Sequence, residues 1–132
     1  MLQAYTLNQD VATNDLISFS HVEAVDRSAT MPVGGTELSL NAAGVYHISG
    51  YVNASPTAEG EVGAAVMLNG TVMEQTSVVE NALADNYAVV PIDTFISVNQ
   101  CCPCQQTTKV SIQYTGVAGV VNLANVVVLK VR

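Results

Sequence analysis

The chain has 132 residues, the length of one domain, and folding at that length can bury roughly 70% of the surface that the unfolded chain exposes. Charged residues make up only 11% of the sequence, against about 25% in an ordinary soluble domain, while hydrophobic residues reach 49%. Four basic and eleven acidic residues give a net charge of −7, which opposes binding to nucleic acid or to anionic membranes.

The apolar residues are mostly small, since the sequence has no Trp and only 5% aromatic residues. Side chains branched at Cβ favour strands, and a surface with so few charges favours an oligomer in which part of it is covered. No apolar run approaches the ~20 residues of a membrane-spanning helix. Residues 1–10 lack a basic start followed by an apolar stretch, so we expect synthesis in the cytosol without a secretion signal.

The first third of the chain carries weak strand signals. Tyr5 and Leu7, then residues 16–25, then residues 37–40 are typical of short strands, with a turn at residues 31–35. We interpret residues 1–132 as a single domain, in which residues 1–35 supply N-terminal strands or an attachment segment and residues 36–132 form the main core.

Regular alternation begins at Gly44. Tyr46, Ile48 and Val52 share one parity and should face the core, whereas His47 and Tyr51 share the other. Residues 62–68 and 71–73 flank Asn69-Gly70, a pair that tolerates the positive φ angles of a type I′ turn, so we predict an antiparallel hairpin there.

Two further strands follow. Residues 87–98 place apolar residues on one face, and Pro91 within them indicates an edge strand or a bulge. After the cysteine-rich loop, Val110, Ile112 and Tyr114 alternate with polar residues.

The last strand is apolar at both parities, and a sheet in a two-layer sandwich turns only one face to its own core. A second apolar face needs cover from another subunit, so we predict a subunit interface there. Its predicted residues are Tyr51, Val120, Ala124, Val126 and Val128.

Short strands separated by turns about every ten residues predict an all-β protein, a jelly-roll β-sandwich of about eight to ten antiparallel strands. Residues 43–52, AGVYHISGYV, resemble the AGxYxIxxxV strand of complement globular heads and tumour-necrosis-factor-like jelly rolls. Residues 67–70, MLNG, and the terminal residues 125–132 are similar to the hairpin and last strand of the bacterial spore-surface collagen-like heads and phage fibres of this family. The resemblance implies a homotrimer around a shared apolar axis, with exposed loops at one end.

The three cysteines, Cys101, Cys102 and Cys104, lie within four residues. Their thiolates could bind zinc, but such a site normally has four ligands, and His21 and His47 are distant in sequence. A disulfide between Cys101 and Cys104, bridges between subunits, and reduced loop cysteines without a role are the alternatives.

Other chemistry has little support. Six carboxylates in the middle of the chain could bind calcium in a trimer, although keeping an apolar surface soluble explains them more simply; they are Glu59, Glu61, Glu74, Glu80, Asp85 and Asp93. No nucleophile, phosphate-binding or HExxH signature occurs, so we expect no enzyme and no cofactor.

We therefore predict a non-enzymatic structural protein: a trimeric module of a phage virion, such as a head fibre, capsid decoration or tail-tip component. Its partners are itself and other virion or surface-layer proteins, with no nucleic acid and no membrane insertion. The alternative is a bacterial surface or spore-coat head that binds a glycan or protein through loops near residues 55–61 and 99–106.

Overall fold

The computed structural model describes residues 1–99 and 108–132 of the chain. These residues form two antiparallel sheets that pack face to face, which confirms the predicted all-β jelly-roll sandwich. The strands are β1 (Leu2–Val11), β2 (His21–Ala24), β3 (Ala29–Thr30), β4 (Glu37–Leu40), β5 (Gly44–Pro56), β6 (Gly60–Leu68), β7 (Thr71–Val72), β8 (Val78–Ala82), β9 (Ala88–Val98), β10 (Thr108–Tyr114) and β11 (Gly119–Lys130), with a 3₁₀ turn at Glu74–Thr76.

The five-stranded sheet has the order β2-β1-β11-β5-β9, and the six-stranded sheet has the order β3-β4-β10-β6-β7, with β8 also paired to β6. Strand β1 is an interior strand, and its Leu2 and Ala4 are fully buried between the sheets. The first residues of the chain are therefore part of the sandwich. Their predicted role in attachment stays a prediction.

Strand β5 alternates as predicted. Tyr46, Ile48 and Val52 are fully buried, whereas His47 and Tyr51 face outwards and are half-buried. The Tyr46 hydroxyl donates to the carbonyl oxygen of Ala42 at 2.7 Å, so this core residue also fixes the loop before its own strand.

The other local predictions are confirmed at two places. Strands β6 and β7 pair around Asn69 and Gly70, whose φ angles of 51° and 85° are both positive as a type I′ turn requires. Strand β9 is an edge strand of the five-stranded sheet, the position in which a proline such as Pro91 is tolerated.

The last strand, β11, contains a β-bulge between Val121 and Leu123. An extra residue in one strand reverses the parity that follows it. Val121 therefore faces the core, and after the bulge the buried positions are those of Ala124, Val126 and Val128, which are at most 1% exposed.

This placement corrects part of the interface prediction. Ala124, Val126 and Val128 were predicted on a face covered by another subunit, but the structure buries them in the core of their own sandwich. The physical reason is the bulge, since alternation counted without it assigns the wrong side. The outward positions after the bulge belong instead to Leu123, Asn125, Val127 and Leu129.

Candidate subunit interface

The outer face of the five-stranded sheet exposes large apolar side chains. Exposed fractions are 37% for Tyr5, 51% for Leu7, 46% for Val89, 61% for Phe95 and 45% for Leu129. Outward-facing Val127 lies among them on the middle strand, between Gln3 of β1 and Ser49 of β5. The other face of the same sheet covers the core, and no residue within 1–99 or 108–132 covers this one.

The size of this face fits a protein contact. Four strands of ten to thirteen residues and the four-residue β2, at a spacing of about 4.8 Å and a rise of about 3.3 Å per residue, give an area on the order of 800 Å². One partner in a stable interface contributes roughly the same area. The face is therefore large enough to be an interface by itself.

Two residues of the predicted interface lie on this outer face. Tyr51 occupies a cross-strand row between Asn125 of β11 and Pro91 of β9, and the row continues to Tyr5 of β1. Val120 faces the same side before the bulge and is partly exposed. Contact of Tyr51 and Val120 with another subunit stays a prediction.

An exposed cluster of side chains lies at the β9 edge of this face, and we call His47, Asp93 and Phe95 the β9 knob. The Phe95 ring stacks on the His47 ring with centroids 4.7 Å apart and an angle of 19° between the planes. The His47 Nε2 atom lies 2.6 Å from Asp93 Oδ1. Because both neighbours hold His47, the exposed phenyl ring has a defined position.

A recess lies at the opposite edge of the same face, and we call it the β2 cleft. It has a volume of about 520 Å³ and is lined by Gln3, Tyr5, Ser20, His21, Val22, Glu23 and Val33. The rings of Tyr5 and His21 are stacked and parallel to within 1°, with centroids 4.4 Å apart. Stacked rings beside an amide and a carboxylate form a surface that can accept a mixed apolar and polar partner.

The charge on this face has one sign. Asp10, Glu23 and Asp93 point outwards from its strands, whereas none of the four basic residues of the sequence occupies an outward position on them. His21 and His47 are consequently the side chains on this face that can carry a positive charge. A partner that binds this face therefore contacts carboxylates and imidazole rings. It finds no lysine or arginine on the outward positions of these strands.

The candidate metal ligands are not assembled in the part of the chain that the structure describes. Cys101, Cys102 and Cys104 lie outside the described residues, so the zinc and disulfide alternatives stay predictions. Within residues 1–99 and 108–132, no three His, Cys, Asp or Glu side chains lie together as metal ligands, which includes the six carboxylates considered for calcium. His21 and His47 occupy the cleft and the knob at opposite edges of the sheet.

The sequence reading missed Phe95, Tyr5 and His21 as interface candidates. For Phe95 the sequence carries a signal, because Phe95 shares the second parity of β9 with the apolar residue Val89. For Tyr5 and His21 the sequence held no comparable signal. Their stacking depends on the pairing of β1 with β2, which places the two residues opposite each other.

Solved structures share this architecture. The globular domain of a zebrafish complement 1qA protein aligns with a TM-score of 0.68 and 10% identity, over 99% of this chain and 96% of that chain. Murine APRIL aligns with TM-scores of 0.56 in its pH 5.0 structure and 0.53 in its pH 8.0 structure, at 12% and 9% identity. Each of these alignments covers 97% of this chain and 98% of that chain.

These alignments show that the chain has the jelly-roll fold of the complement globular head and of the tumour-necrosis-factor-like proteins. No family model matches the sequence, and no curated protein matches it. Within residues 1–99 and 108–132, no helix has the length and apolar character needed to cross a membrane. At these identities the likeness concerns the fold, and function must come from the surface of this chain.

Proposed function

We propose that the protein is a non-enzymatic structural module that assembles into a homotrimer through the outer face of its five-stranded sheet. The observation that carries this proposal is the uncovered apolar face, with Phe95 and Leu7 more than half exposed in one chain. Exposed contiguous apolar surface of this extent is uncommon on soluble monomers and marks interaction sites. The low charged fraction of the sequence supports the same interpretation.

The trimeric state and the biological setting come from the family resemblance. Residues 67–70 and 125–132 are similar to the hairpin and the last strand of phage fibres and bacterial spore-surface heads. A module of a phage virion, such as a head fibre, capsid decoration or tail-tip component, must self-associate stably and be exposed on the particle. Such a role needs no catalytic activity. We infer this role for the chain, with other virion proteins as its attachment partners.

The second candidate is a bacterial surface or spore-coat head that binds a glycan or a protein. The β2 cleft favours it, because an aromatic stack flanked by Gln3 and Glu23 offers both a ring surface and hydrogen-bonding groups. Binding of the purified oligomer to a glycan array would support this candidate over a purely structural role. A blank array together with a stable trimer would favour the virion module.

The first experiment on the proposed function is the mass in solution by light scattering. We expect three chains, each of 13.8 kDa, at micromolar concentration. A mass of one chain at that concentration would contradict the proposal, because the apolar outer face would then be stable in water without a partner. A mass of two chains would contradict the three-fold arrangement while keeping self-association.

A further inference from the structure

We infer that the β9 knob of one copy inserts into the β2 cleft of the next, so that a single repeated contact closes the ring of three. This inference rests on the proposed self-association, and it names the residues through which that association occurs. A ring with rotational symmetry above two-fold requires two different, complementary patches on each subunit. The knob and the cleft are two such patches at opposite edges of one face.

The shapes match. Phe95 projects with 61% of its surface exposed, and its stack with His47 fixes the ring. A cavity of about 150 Å³ is enough for a benzene ring, and the β2 cleft has about 520 Å³. The cleft is therefore large enough for the phenyl ring and its flanking side chains, and Tyr5, His21 and Val33 are among the residues that line it.

The cleft holds hydrogen-bond donors for the Asp93 carboxylate, together with one group of the same charge, the Glu23 carboxylate. The Asp93 side chain is 72% exposed, and one of its carboxylate oxygens lies against His47. A carboxylate that loses water at an interface must regain hydrogen bonds. The cleft supplies donors in the amide of Gln3 and the ring of His21, whose Nδ1 lies 3.0 Å from the Ser20 hydroxyl oxygen. The Nε2 position of His21 remains to face the incoming Asp93.

Side chains, rather than backbone pairing, must make this contact. Strands β9 and β2 are the two edges of the sheet, and edge strands of two copies can in principle join into one larger sheet. Pro91 removes an N–H from the free edge of β9, and β2 has only four residues. Because β2 is so short, backbone pairing between these two edges could extend over at most four residues.

The experiment is site-directed crosslinking in a background in which Cys101, Cys102 and Cys104 are replaced by serine. Cysteines are placed in pairs at Phe95 and Val33, and separately at Asp93 and Glu23, which leaves Phe95 intact. A short bismaleimide reagent is added, and the products are separated under denaturing conditions. The matched control pairs Phe95→Cys with Val79→Cys, because Val79 is similarly exposed but lies on the other sheet.

We expect both knob–cleft pairs to yield covalent trimers and the control pair to remain as single chains. Phe95→Cys alone should not crosslink, because the phenyl rings of neighbouring copies do not meet in the proposed ring. Self-crosslinking of this single variant would indicate a two-fold contact and overturn the inference.

A trimer by light scattering that crosslinks with neither pair would overturn the knob-and-cleft contact while leaving the proposed trimer intact. The cleft would then be open to another ligand. A wild-type protein that is a single chain in solution would overturn both the contact and the proposed self-association. The outcomes for the two claims are therefore distinguishable.

Discussion

The two outward faces of the sandwich present different side chains. On the six-stranded sheet, the outward positions of β4 and β10 carry Glu37, Ser39, Lys109 and Gln113, and the Lys109 ammonium group donates to the Ser39 hydroxyl at 2.8 Å. On the five-stranded sheet, large apolar residues such as Leu7, Phe95 and Leu129 stand among the polar residues at the outward positions. The first face is suited to water and the second to a protein surface.

This difference separates two roles of an apolar residue in a β-sandwich. Residues facing inwards stabilise the chain itself, whereas those on the outer five-stranded face can stabilise only an assembly. Val126 and Val127 are adjacent in β11 and fall on opposite sides of this division. Substitutions at the two positions test it directly.

The largest effect is expected for Val126→Asp. Val126 is fully buried between the sheets, and an unpaired carboxylate there costs more than about 4 kcal/mol, a large part of a typical domain stability of 5–15 kcal/mol. We expect the chain to lose its cooperative thermal transition or to become insoluble, as measured by circular dichroism and yield of soluble protein. A folded Val126→Asp variant with unchanged melting would contradict the inward orientation.

A smaller and different effect is expected for Val127→Asp. This residue lies at the centre of the outer face, so the carboxylate would be desolvated only when copies associate. We expect the variant to keep its β-sheet spectrum while its mass falls from three chains to one by light scattering. Val79→Asp is the control, since Val79 is 50% exposed on the six-stranded sheet and its substitution should leave the mass unchanged.

If Val127→Asp and Val79→Asp both kept the wild-type mass, the outer five-stranded face would not be the interface. If both variants dissociated, the difference between the two faces would not explain assembly.

The smallest effect is expected for Tyr114→Phe, on the inner side of β10. The buried Tyr114 hydroxyl donates to the carbonyl oxygen of Val117 and closes the turn before β11, a bond worth about 1 kcal/mol. Burial raises the pKa of Tyr114. The folded state therefore binds the phenolic proton more tightly, and this contribution is present below the ordinary tyrosine pKa of about 10 and is lost as the pH rises above it.

Urea unfolding of Tyr114→Phe should show a stability about 1 kcal/mol below that of the wild type at pH 8. The difference should shrink as the pH is raised towards 11. A difference that grows with pH would contradict the assignment of this dependence to Tyr114.

Much of the fold could be predicted from the sequence because the strong signals are local. Alternation identified the buried side of β5, and Asn69-Gly70 located the hairpin, since both depend on neighbouring residues alone. Strand β8 lacked such a signal, because Val78 and Val79 are adjacent apolar residues without a clear alternation. The long β1 was underestimated for a related reason, as its exposed Tyr5 and Leu7 are apolar like its buried residues.

The candidate interface was harder to predict than the fold. The sequence showed that the terminal strand has apolar residues on both sides, and in the structure the apolar residues of the outer side are not covered by any of residues 1–99 and 108–132. It could not show which residues face which side, because that depends on the bulge next to Asn122. The knob and the cleft depend on pairings between distant strands, which no local pattern encodes.

The bulge in β11 also has a consequence for how reliably the chain finds its register. Valine occupies positions on both sides of the strand, so hydrophobicity discriminates poorly between the native pairing and one displaced by a single residue. Asn122 favours the native register. Its side-chain amide donates to the Ser55 hydroxyl of β5 at 2.8 Å, and this hydrogen bond forms only when the bulge lies at Asn122. A polar residue at the bulge thus determines which face of β11, a strand that is apolar on both faces, packs into the core.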